Sequence, residues 1–387
     1  MSVSFKTVKE ASIKNGTRVL LRGDFDVAFK GRRIADNFRI RETIPTLRYI
    51  LKKGGHPRII AHLKRPHGKR VLSLSLRSVA RYLGKSLRKE VIFVSDPFSP
   101  AVFEKYNRSP HIIFFENIRF WPGEEKNDRH FAASLARWGD IYVNEAFANS
   151  HRPHASMEAI TRFLPAFAGL RLAEEIFYLS RIFLSSPPPR VAIMGGAKLE
   201  TKIPLIERFL RSGSMVLLGG ALVNTIFYAK GISVGKSPID KNLLKKALRL
   251  DKIKSKLLLP IDLVVAKNPG ARPRVVSVSK IGHSESNFDI GPATVGLFKS
   301  ALSDARTIVW NGPLGLAEVG VFSRGTTRMA RALKNIRAFK IIGGGDTIAI
   351  LRSRGLLGGF THVSTGGGAM LEFLAGKKLP AVEALKR

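Results

Sequence analysis

The sequence of 387 residues contains no cysteine, which excludes disulfide bonds and thiolate chemistry. It also lacks long apolar runs, since stretches such as residues 215–218 and 257–260 are far shorter than the ~20 residues of a membrane-spanning helix. Residues 1–6 include no apolar segment, so we do not expect a secretory leader. These absences predict a cytoplasmic protein that does not enter a membrane.

Acidic residues are scarce. Lysine and arginine number 65 against 29 aspartate and glutamate residues, which gives a net charge of +36. Residues 1–190 carry +17 (34 basic, 17 acidic) and residues 191–387 carry +19 (31 basic, 12 acidic), so the two halves share the excess evenly. Such a surface predicts non-specific polyanion binding at low salt, because phosphate neutralisation does not depend on sequence. A dedicated nucleic-acid-binding protein is the alternative hypothesis, and binding that persists at physiological salt would support it.

The chain is long enough for two domains, and 44% of its residues are hydrophobic. Short apolar runs alternate with segments of helical periodicity, which is typical of parallel strands joined by crossover helices. The first half predicts strands at residues 18–22, 58–62, 91–94, 111–115 and 141–144, and helices at 43–53, 76–87 and 128–138. The second half predicts strands at residues 190–194, 215–218, 256–259, 307–310 and 339–342.

A helical pattern over residues 172–184 is followed by Pro187, Pro188 and Pro189, through which a helix cannot continue. The predicted fold is therefore α/β, with two doubly wound, Rossmann-like parallel-sheet domains at residues 1–172 and 190–374. A hinge helix and linker at residues 173–189 join them. In such sheets ligands bind beyond the carboxyl ends of the strands, so candidate site residues should follow strand ends.

Two segments pass from a predicted strand through three glycines into a predicted helix. Residues 341–347 read Ile-Ile-Gly-Gly-Gly-Asp-Thr, and residues 361–374 repeat the arrangement. Glycines let the backbone approach a ligand closely, and the first N–H groups of a helix attract anions. A third transition, after Met194, precedes Lys198 and Lys202, which we predict to share one helical face. Plain tight turns and a solvated lysine pair are the alternatives.

Basic residues follow the strand ends of the first half, namely Arg39, His62, Arg65, Arg119, Arg152 and His154. Guanidinium groups hold carboxylate and phosphate through paired donors, so this sheet edge predicts a site for a small phosphorylated acid. Any one arginine of so basic a chain is more often a solvated surface residue, but four at successive strand ends favour a site. The histidines lack the tight spacing with carboxylates that a metal site requires.

Two carboxylates of the second half are candidates for a nucleotide site. Glu318 is placed to accept hydrogen bonds from a ribose, with an ordinary surface carboxylate as the alternative. Asp346 is a candidate magnesium ligand, because Mg²⁺ prefers carboxylate and phosphate oxygen. A helix N-cap is the alternative role of Asp346, and the two roles are compatible.

Taken in order, these motifs resemble the phosphoglycerate kinase family over essentially the whole chain. The matching segments are residues 22–26, 62–66, 116–120, 122–126, 144–147, 151–154, 195–198 with Lys202, 310–313, 343–347 and 364–368. The resemblance implies reversible Mg²⁺-dependent phosphoryl transfer between 1,3-bisphosphoglycerate and ADP, giving 3-phosphoglycerate and ATP in glycolysis. It also implies a monomer, hinge closure of the domains, and a C-terminal segment, residues 375–387, that packs back on the first domain.

The resemblance further implies the site residues. Arg39 and Lys202 are the expected catalytic residues, which neutralise the transferred phosphoryl group. Substrate binding is implied for Asp24, Phe25, Asp26, Arg39, His62, Leu63, Lys64, Arg65, Arg119 and Arg152. Nucleotide binding is implied for Lys198, Lys202, Gly219, Gly220, Asn311, Glu318, Gly344, Gly345, Asp346 and Thr347, with magnesium on Asp346 and the nucleotide phosphates. A catalytically weakened kinase-fold protein that binds nucleic acid is the alternative.

Four positions depart from the family pattern. The family usually has Asn at Asp26, Gly at Lys64 and Ala221, and Phe near Ala317. A carboxylate at Asp26 is expected to repel an anionic substrate unless arginines compensate. The changes at Ala221 and Ala317 alter the expected adenine-side packing. No principal charged group is lost, so we expect an active enzyme with altered substrate affinity.

Overall fold

The computed structural model describes residues 5–31, 33–251 and 256–386. The chain divides into two compact units, one of Met1–Phe177 with Lys377–Arg387 and the other of Tyr178–Gly376. Residues 1–4 of the segment 1–6, on which the prediction of no leader depends, and the last residue of the predicted C-terminal segment lie outside the described residues. Within the described part, no helix is long and apolar enough to cross a membrane.

The first unit is built on a six-stranded parallel sheet. A short hairpin is inserted in the chain between the first two strands of this sheet. The strands of the unit are β1 (Arg18–Arg22), β2 (Phe29–Lys30), β3 (Arg33–Ile34), β4 (His56–Ile60), β5 (Val91–Val94), β6 (Ile112–Phe115), β7 (Ile141–Asn144) and β8 (Ala166–Ala168). The sheet order is β5-β6-β4-β1-β7-β8, and β2 and β3 form the antiparallel hairpin. Four of the five predicted strands agree within one residue, and β4 lies two residues earlier than predicted. The hairpin and β8 were not predicted.

Helices cover both faces of this sheet. They are α1 (Phe38–Lys52), α2 (Arg77–Leu87), α3 (Pro100–Tyr106), α4 (Pro122–Glu125), α5 (Arg129–Ala136) and α6 (Leu170–Leu184), which continues into the second unit. Apolar residues at helical spacing, such as Leu47 on α1 and Leu83 on α2, are buried in one core with the sheet. Because α1 begins at Phe38 rather than at the predicted residue 43, Arg39 lies in its first turn.

Glu145, which follows β7, fixes the start of α6. Its carboxylate accepts hydrogen bonds from the Thr46 hydroxyl and from the backbone N–H groups of Arg171 (3.1 Å) and Leu172 (3.4 Å). A Cβ on Gly169 would overlap this carboxylate, so the position requires glycine. Burial raises the pKa of Glu145 to about 7. A carboxyl group that titrates near neutrality therefore caps this helix.

The second unit also has a six-stranded parallel sheet, together with a three-stranded antiparallel sheet. Its strands are β9 (Arg190–Met194), β10 (Met215–Leu218), β11 (Leu257–Leu258), β12 (Asp262–Ala266), β13 (Arg274–Ser277), β14 (Ser286–Ile290), β15 (Thr307–Asn311), β16 (Phe339–Gly343) and β17 (His362–Val363). The orders are β11-β10-β9-β15-β16-β17 and β13-β12-β14. The prediction of two α/β units with parallel sheets is confirmed, whereas the antiparallel sheet was missed.

The remaining helices are α7 (Ile203–Arg211), α8 (Leu222–Ala229), α9 (Leu244–Asp251), α10 (Pro292–Leu302), α11 (Arg324–Lys334), α12 (Gly345–Ser353), α13 (Gly368–Leu374) and α14 (Pro380–Ala384). The last of these, α14, belongs to the first unit. There Ala381 packs with Ala146 and Met157, and its N–H donates to the Ser150 carbonyl (3.2 Å). The functional boundaries at residues 172 and 190 stay predictions.

Candidate active site

The strand ends of the first unit lie level with one another. In the parallel pairing of β1 with β4 and β7, Arg22 stands opposite Ile60 and Asn144. The loops that follow these strands therefore leave the sheet at one edge. They carry most of the residues predicted to bind the phosphorylated acid.

A cluster of buried cationic and imidazole groups lies at this edge. The Arg22 guanidinium is fully buried and donates to His62 Nδ1 (3.1 Å), Ser156 Oγ (2.9 Å) and the Gly23 carbonyl (2.6 Å). Because arginine can only donate, His62 Nδ1 accepts and its proton resides on Nε2. Burial, followed by the charges of Arg22 and Arg119, holds the pKa of His62 well below its usual value. His62 is therefore a neutral imidazole in a positive environment.

Arg119 is the member of this cluster with donors to spare. Its Nη1 donates to the Lys64 carbonyl (2.8 Å), and its Nε lies 3.7 Å from Glu125 Oε1. Its Nη2 is buried and has no hydrogen-bond partner among the described residues. Burial and the neighbouring Arg22 lower the pKa of Arg119 to about 10. A cation that is desolvated and that a neighbouring arginine repels favours an anionic ligand.

Arg39 is held by one of the carboxylates predicted to contact substrate. Its Nη1 lies 2.8 Å from both Oδ1 and Oδ2 of Asp24. The charge of Asp24 is the main cause that raises the pKa of Arg39. Since a carboxylate repels an anionic substrate, this geometry favours Asp24 as the group that orients Arg39.

The other predicted residues of the first unit differ in accessibility. The side chains of Phe25 and Leu63 lie in the hydrophobic core, with Phe25 stacked on Phe114, so they have only backbone groups to offer a ligand. Arg65 is exposed and Arg152 is half-buried. Their roles in substrate binding stay predictions.

In the second unit, the glycine loop after β16 adopts the predicted arrangement. The strand ends at Gly343, Gly344 has a left-handed φ of +96°, and α12 begins at Gly345. A Cβ on Gly344 would lie 3.4 Å from Thr347 Oγ1 and 3.6 Å from Asn311 Nδ2. These two polar atoms are buried and have no hydrogen-bond partner among the described residues. Donors without partners at a helix N-terminus form a pocket suited to an anion.

Lys202 and Asp346 lie close enough to influence each other. Burial lowers the pKa of Lys202, the charge of Asp346 opposes that effect, and Lys198 adds to it. The prediction that Lys198 and Lys202 share a helical face is wrong, because α7 begins only at Ile203 and Lys198 lies in an exposed loop. Lys202 is the buried N-cap of α7 and is the better placed of the two for phosphate.

Glycines bring three strand-end loops of this unit together. A Cβ on Gly220 would lie 2.7 Å from the Gly196 nitrogen, and a Cβ on Gly312 would overlap the Gly195 carbonyl. Both Gly220 (φ +69°) and Gly312 (φ +91°) also have left-handed backbones. Close backbone packing is thus sufficient to explain why position 220 requires glycine. The predicted nucleotide contacts of Gly219 and Gly220 stay predictions.

The remaining nucleotide-side residues are exposed. Glu318 lies in a turn between β15 and α11, and its ribose contact stays a prediction. Asp346 lies in the first turn of α12. Among the described residues, no group of three or more His, Asp or Glu side chains could hold a metal ion. The single carboxylate of Asp346 therefore fits magnesium that is bound mainly through nucleotide phosphates, as is common for this ion.

The fold and these two clusters can be compared with known proteins. The sequence profile of the family described as phosphoglycerate kinase matches residues 8–377. The chain belongs to the phosphoglycerate kinase family. A phosphoglycerate kinase from Pelotomaculum thermopropionicum is 42% identical over 98% of both chains, and one from Rubrobacter xylanophilus is also 42% identical over 98% of both. The structure of phosphoglycerate kinase from Coxiella burnetii matches with a TM-score of 0.84 at 36% identity over 99% of both chains, and that from Pyrococcus horikoshii with 0.87 at 30% identity over 98% of both.

Two of the departures from the phosphoglycerate kinase pattern lie side by side. Asp26 Oδ1 accepts a hydrogen bond from the Lys64 backbone N–H (3.1 Å) and lies 3.7 Å from Lys64 Nζ. Lys64 has a left-handed φ of +56°, a conformation that glycine adopts without strain. The additional negative charge of Asp26 is therefore offset by the additional positive charge of Lys64. No comparable compensation for Ala221 and Ala317 is visible.

Sequence reasoning missed one group of the phosphoglycerate kinase site. In the sequence Arg22 is only the first residue of the segment 22–26, whereas in the structure its side chain is fully buried beside His62. Ser156 and Glu124 complete its surroundings, since Ser156 Oγ donates to Glu124 Oε1 (2.7 Å). The available signal was a strand of three apolar residues, Val19 to Leu21, that ends in an arginine at the edge where ligands bind.

Proposed function

We propose that this protein is a phosphoglycerate kinase that transfers a phosphoryl group reversibly between 1,3-bisphosphoglycerate and ADP, giving 3-phosphoglycerate and ATP in glycolysis. The observation that carries this proposal is an anion site in each unit whose buried donors lack partners among the described residues. They are Arg119 Nη2 in the first unit, and Asn311 Nδ2 and Thr347 Oγ1 in the second. Each unpaired donor costs about 1–3 kcal/mol, which a ligand oxygen would recover.

The residues divide by unit into two roles. The cluster around Arg119 and His62 binds the phosphoglycerate, and Lys202, Asn311 and Thr347 bind the nucleotide phosphates. Arg39, oriented by Asp24, and Lys202 neutralise the transferred phosphoryl group, because this reaction depends on positioning and charge more than on a general base. Asp346 would hold magnesium together with the nucleotide phosphates, and the ion would supply further positive charge at those phosphates.

A coupled assay tests this function directly. Purified protein with MgATP and 3-phosphoglycerate should release ADP, and absence of ADP release would refute the proposal. Arg39→Ala should abolish most of this activity, whereas the matched variant Arg41→Ala, an exposed arginine two residues further along α1, should keep it. Equal losses in both variants would reject the role of Arg39.

Because Arg39 and Lys202 belong to different units, the proposed transfer requires closure of the units on both substrates. The radius of gyration from X-ray scattering should fall when both substrates are present and change less with either alone. We further propose that the protein is cytoplasmic and monomeric. The molar mass measured by light scattering can check the monomeric state.

A further inference from the structure

The excess positive charge of the first half is concentrated in one segment. Residues 43–89 contain 13 lysines and arginines and no aspartate or glutamate. Residues 1–42 carry +5 (10 basic, 5 acidic), and residues 90–190 carry −1 (11 basic, 12 acidic). Of the +17 in this half, +13 therefore comes from a single acid-free stretch.

The fold places the helical part of this stretch on one face of the sheet. The connections from β1 to β4 and from β4 to β5 run in the same direction across the sheet, so right-handed crossovers put α1 and α2 on the same side. Asn37, the N-cap of α1, donates to the Tyr82 hydroxyl of α2 (2.7 Å). The two helices thus form one layer. Within residues 43–89 its exposed cations are Arg48, Lys52, Lys53, Arg77, Arg81, Lys85, Arg88 and Lys89, which we call the α1–α2 cationic face.

These cations lack acidic partners. None of the eight forms an ion pair with a described residue, although the Arg77 guanidinium lies 4.5 Å from the centre of the Phe93 ring. Glu90, the first acid after this segment, lies with its Oε2 3.4 Å from His111 Nδ1 and forms no ion pair with the eight cations. The connections to β6 and β7 run in the opposite direction, so α3, α4 and α5, with acids such as Glu104, lie on the other side of the sheet.

The shape of this face favours an extended polyanion. Arg77 to Arg88 form a row about 16 Å long, over which a nucleic-acid duplex presents roughly ten phosphate charges. A groove of about 450 Å³ runs beside the last turns of α2, and its charged lining is Arg81, Lys85, Arg88, Lys89 and a single acid, Glu90. The charge is spread too widely for one small anion. The apolar side chains of α2 are buried in the core, so the helix offers no apolar band for insertion into a membrane.

We propose that the α1–α2 cationic face binds the phosphodiester backbone of nucleic acid, in addition to the catalytic activity. The last turns of α1 and α2 end at the sheet edge opposite the loops of the candidate active site, because each helix runs antiparallel to the strands it joins. Binding is independent of sequence and falls steeply with salt. This proposal does not depend on the proposed function.

The test measures binding of the full chain to RNA and DNA duplexes of about 20 base pairs by fluorescence anisotropy, between about 50 and 200 mM salt. The variant Arg81→Gln/Lys85→Gln/Arg88→Gln should reduce the slope of log K against log salt by about 2.7, at about 0.9 per phosphate contact. The matched control is Arg324→Gln/Arg328→Gln/Arg331→Gln, which removes three exposed cations with the same spacing from α11 and should leave the slope unchanged.

Equal losses of slope in the two variants would overturn the proposal, because net charge alone would then explain the binding. Tighter binding of phosphatidylserine vesicles than of either duplex would overturn it in favour of a membrane surface. Equal affinity for RNA and DNA supports recognition of the phosphodiester backbone. A preference for one duplex also supports the proposal and identifies which nucleic acid the face binds. Unchanged kinase activity and melting temperature in both variants show that the fold is intact.

Discussion

Replacing the buried Glu145 by glutamine should change how stability depends on pH. Burial raises the pKa of this carboxyl from its ordinary 4.5 to about 7. Between these values the unfolded chain releases the proton while the folded protein retains it, so the folded state binds more protons and stability falls as pH rises. At 1.36 kcal/mol per pH unit, Glu145 lowers the free energy of unfolding by about 3 kcal/mol between pH 4.5 and 7.

The variant Glu145→Gln cannot lose this proton, and its amide oxygen can still accept the N–H groups at the start of α6. Urea unfolding followed by circular dichroism should therefore show that the variant gains stability relative to the parent as pH rises from 5 to 8, by about 3 kcal/mol in total. The other groups with shifted pKa values, including Asp289 at about 7 and His154 at about 3, are present in both proteins and cancel in the difference.

Glu104→Gln is the matched control, because Glu104 is exposed on α3 and the same charge is removed. It should change stability by less than about 0.5 kcal/mol at either pH. If Glu145→Gln shows the same difference from the parent at pH 5 and pH 8, the carboxyl is ionised in the folded protein across this range. The argument from burial would then be wrong.

Three further predictions concern the site. Lys202→Ala should lower kcat about 10²–10³-fold, as Arg39→Ala should, with little change in melting temperature, and unchanged turnover would reject their catalytic roles. Lys64→Gly should raise the KM for 3-phosphoglycerate, because it removes the positive charge that offsets Asp26, whereas Asp26→Asn should lower it; a rise with Asp26→Asn would show that this carboxylate assists binding. Thr347→Val should stabilise the unliganded protein by about 1 kcal/mol, since it removes an unpaired buried hydroxyl, and should raise the KM for MgATP; calorimetry and kinetics check the two parts.

The parallel strands could be predicted because each is a short apolar run at a regular place in the alternation. Strands β1, β5, β7, β9 and β10 match their predicted bounds. The antiparallel strands β12 to β14 were missed because they interrupt the strand and helix alternation on which the prediction depended. Glycines followed by lysines predict a helix that contains Lys198, but α7 begins at Ile203 because the loop continues to Lys202.

The candidate site was predictable where a charged residue follows a strand, as with Arg119 and Asp346. The site was not predictable where the role of a residue depends on a neighbour that is distant in the sequence. The sequence indicates only a charge at the end of a strand for Arg22, whereas the structure buries it beside His62. The sequence indicates a repulsive substitution at Asp26, whereas the structure places Lys64 next to it. Thr347 gains significance only because its hydroxyl is buried without a partner among the described residues.

The return of α14 to the first unit has a consequence for biosynthesis. Ala381, Val382 and Leu385 are buried in a unit whose other residues end at Phe177, and the second unit lies between them in the chain. At about 5–20 residues per second, the ribosome needs roughly 10–40 s to add the intervening ~200 residues. For that time the nascent chain lacks α14, so the surface at Ala146 and Met157 is without the helix that packs on it in the folded protein.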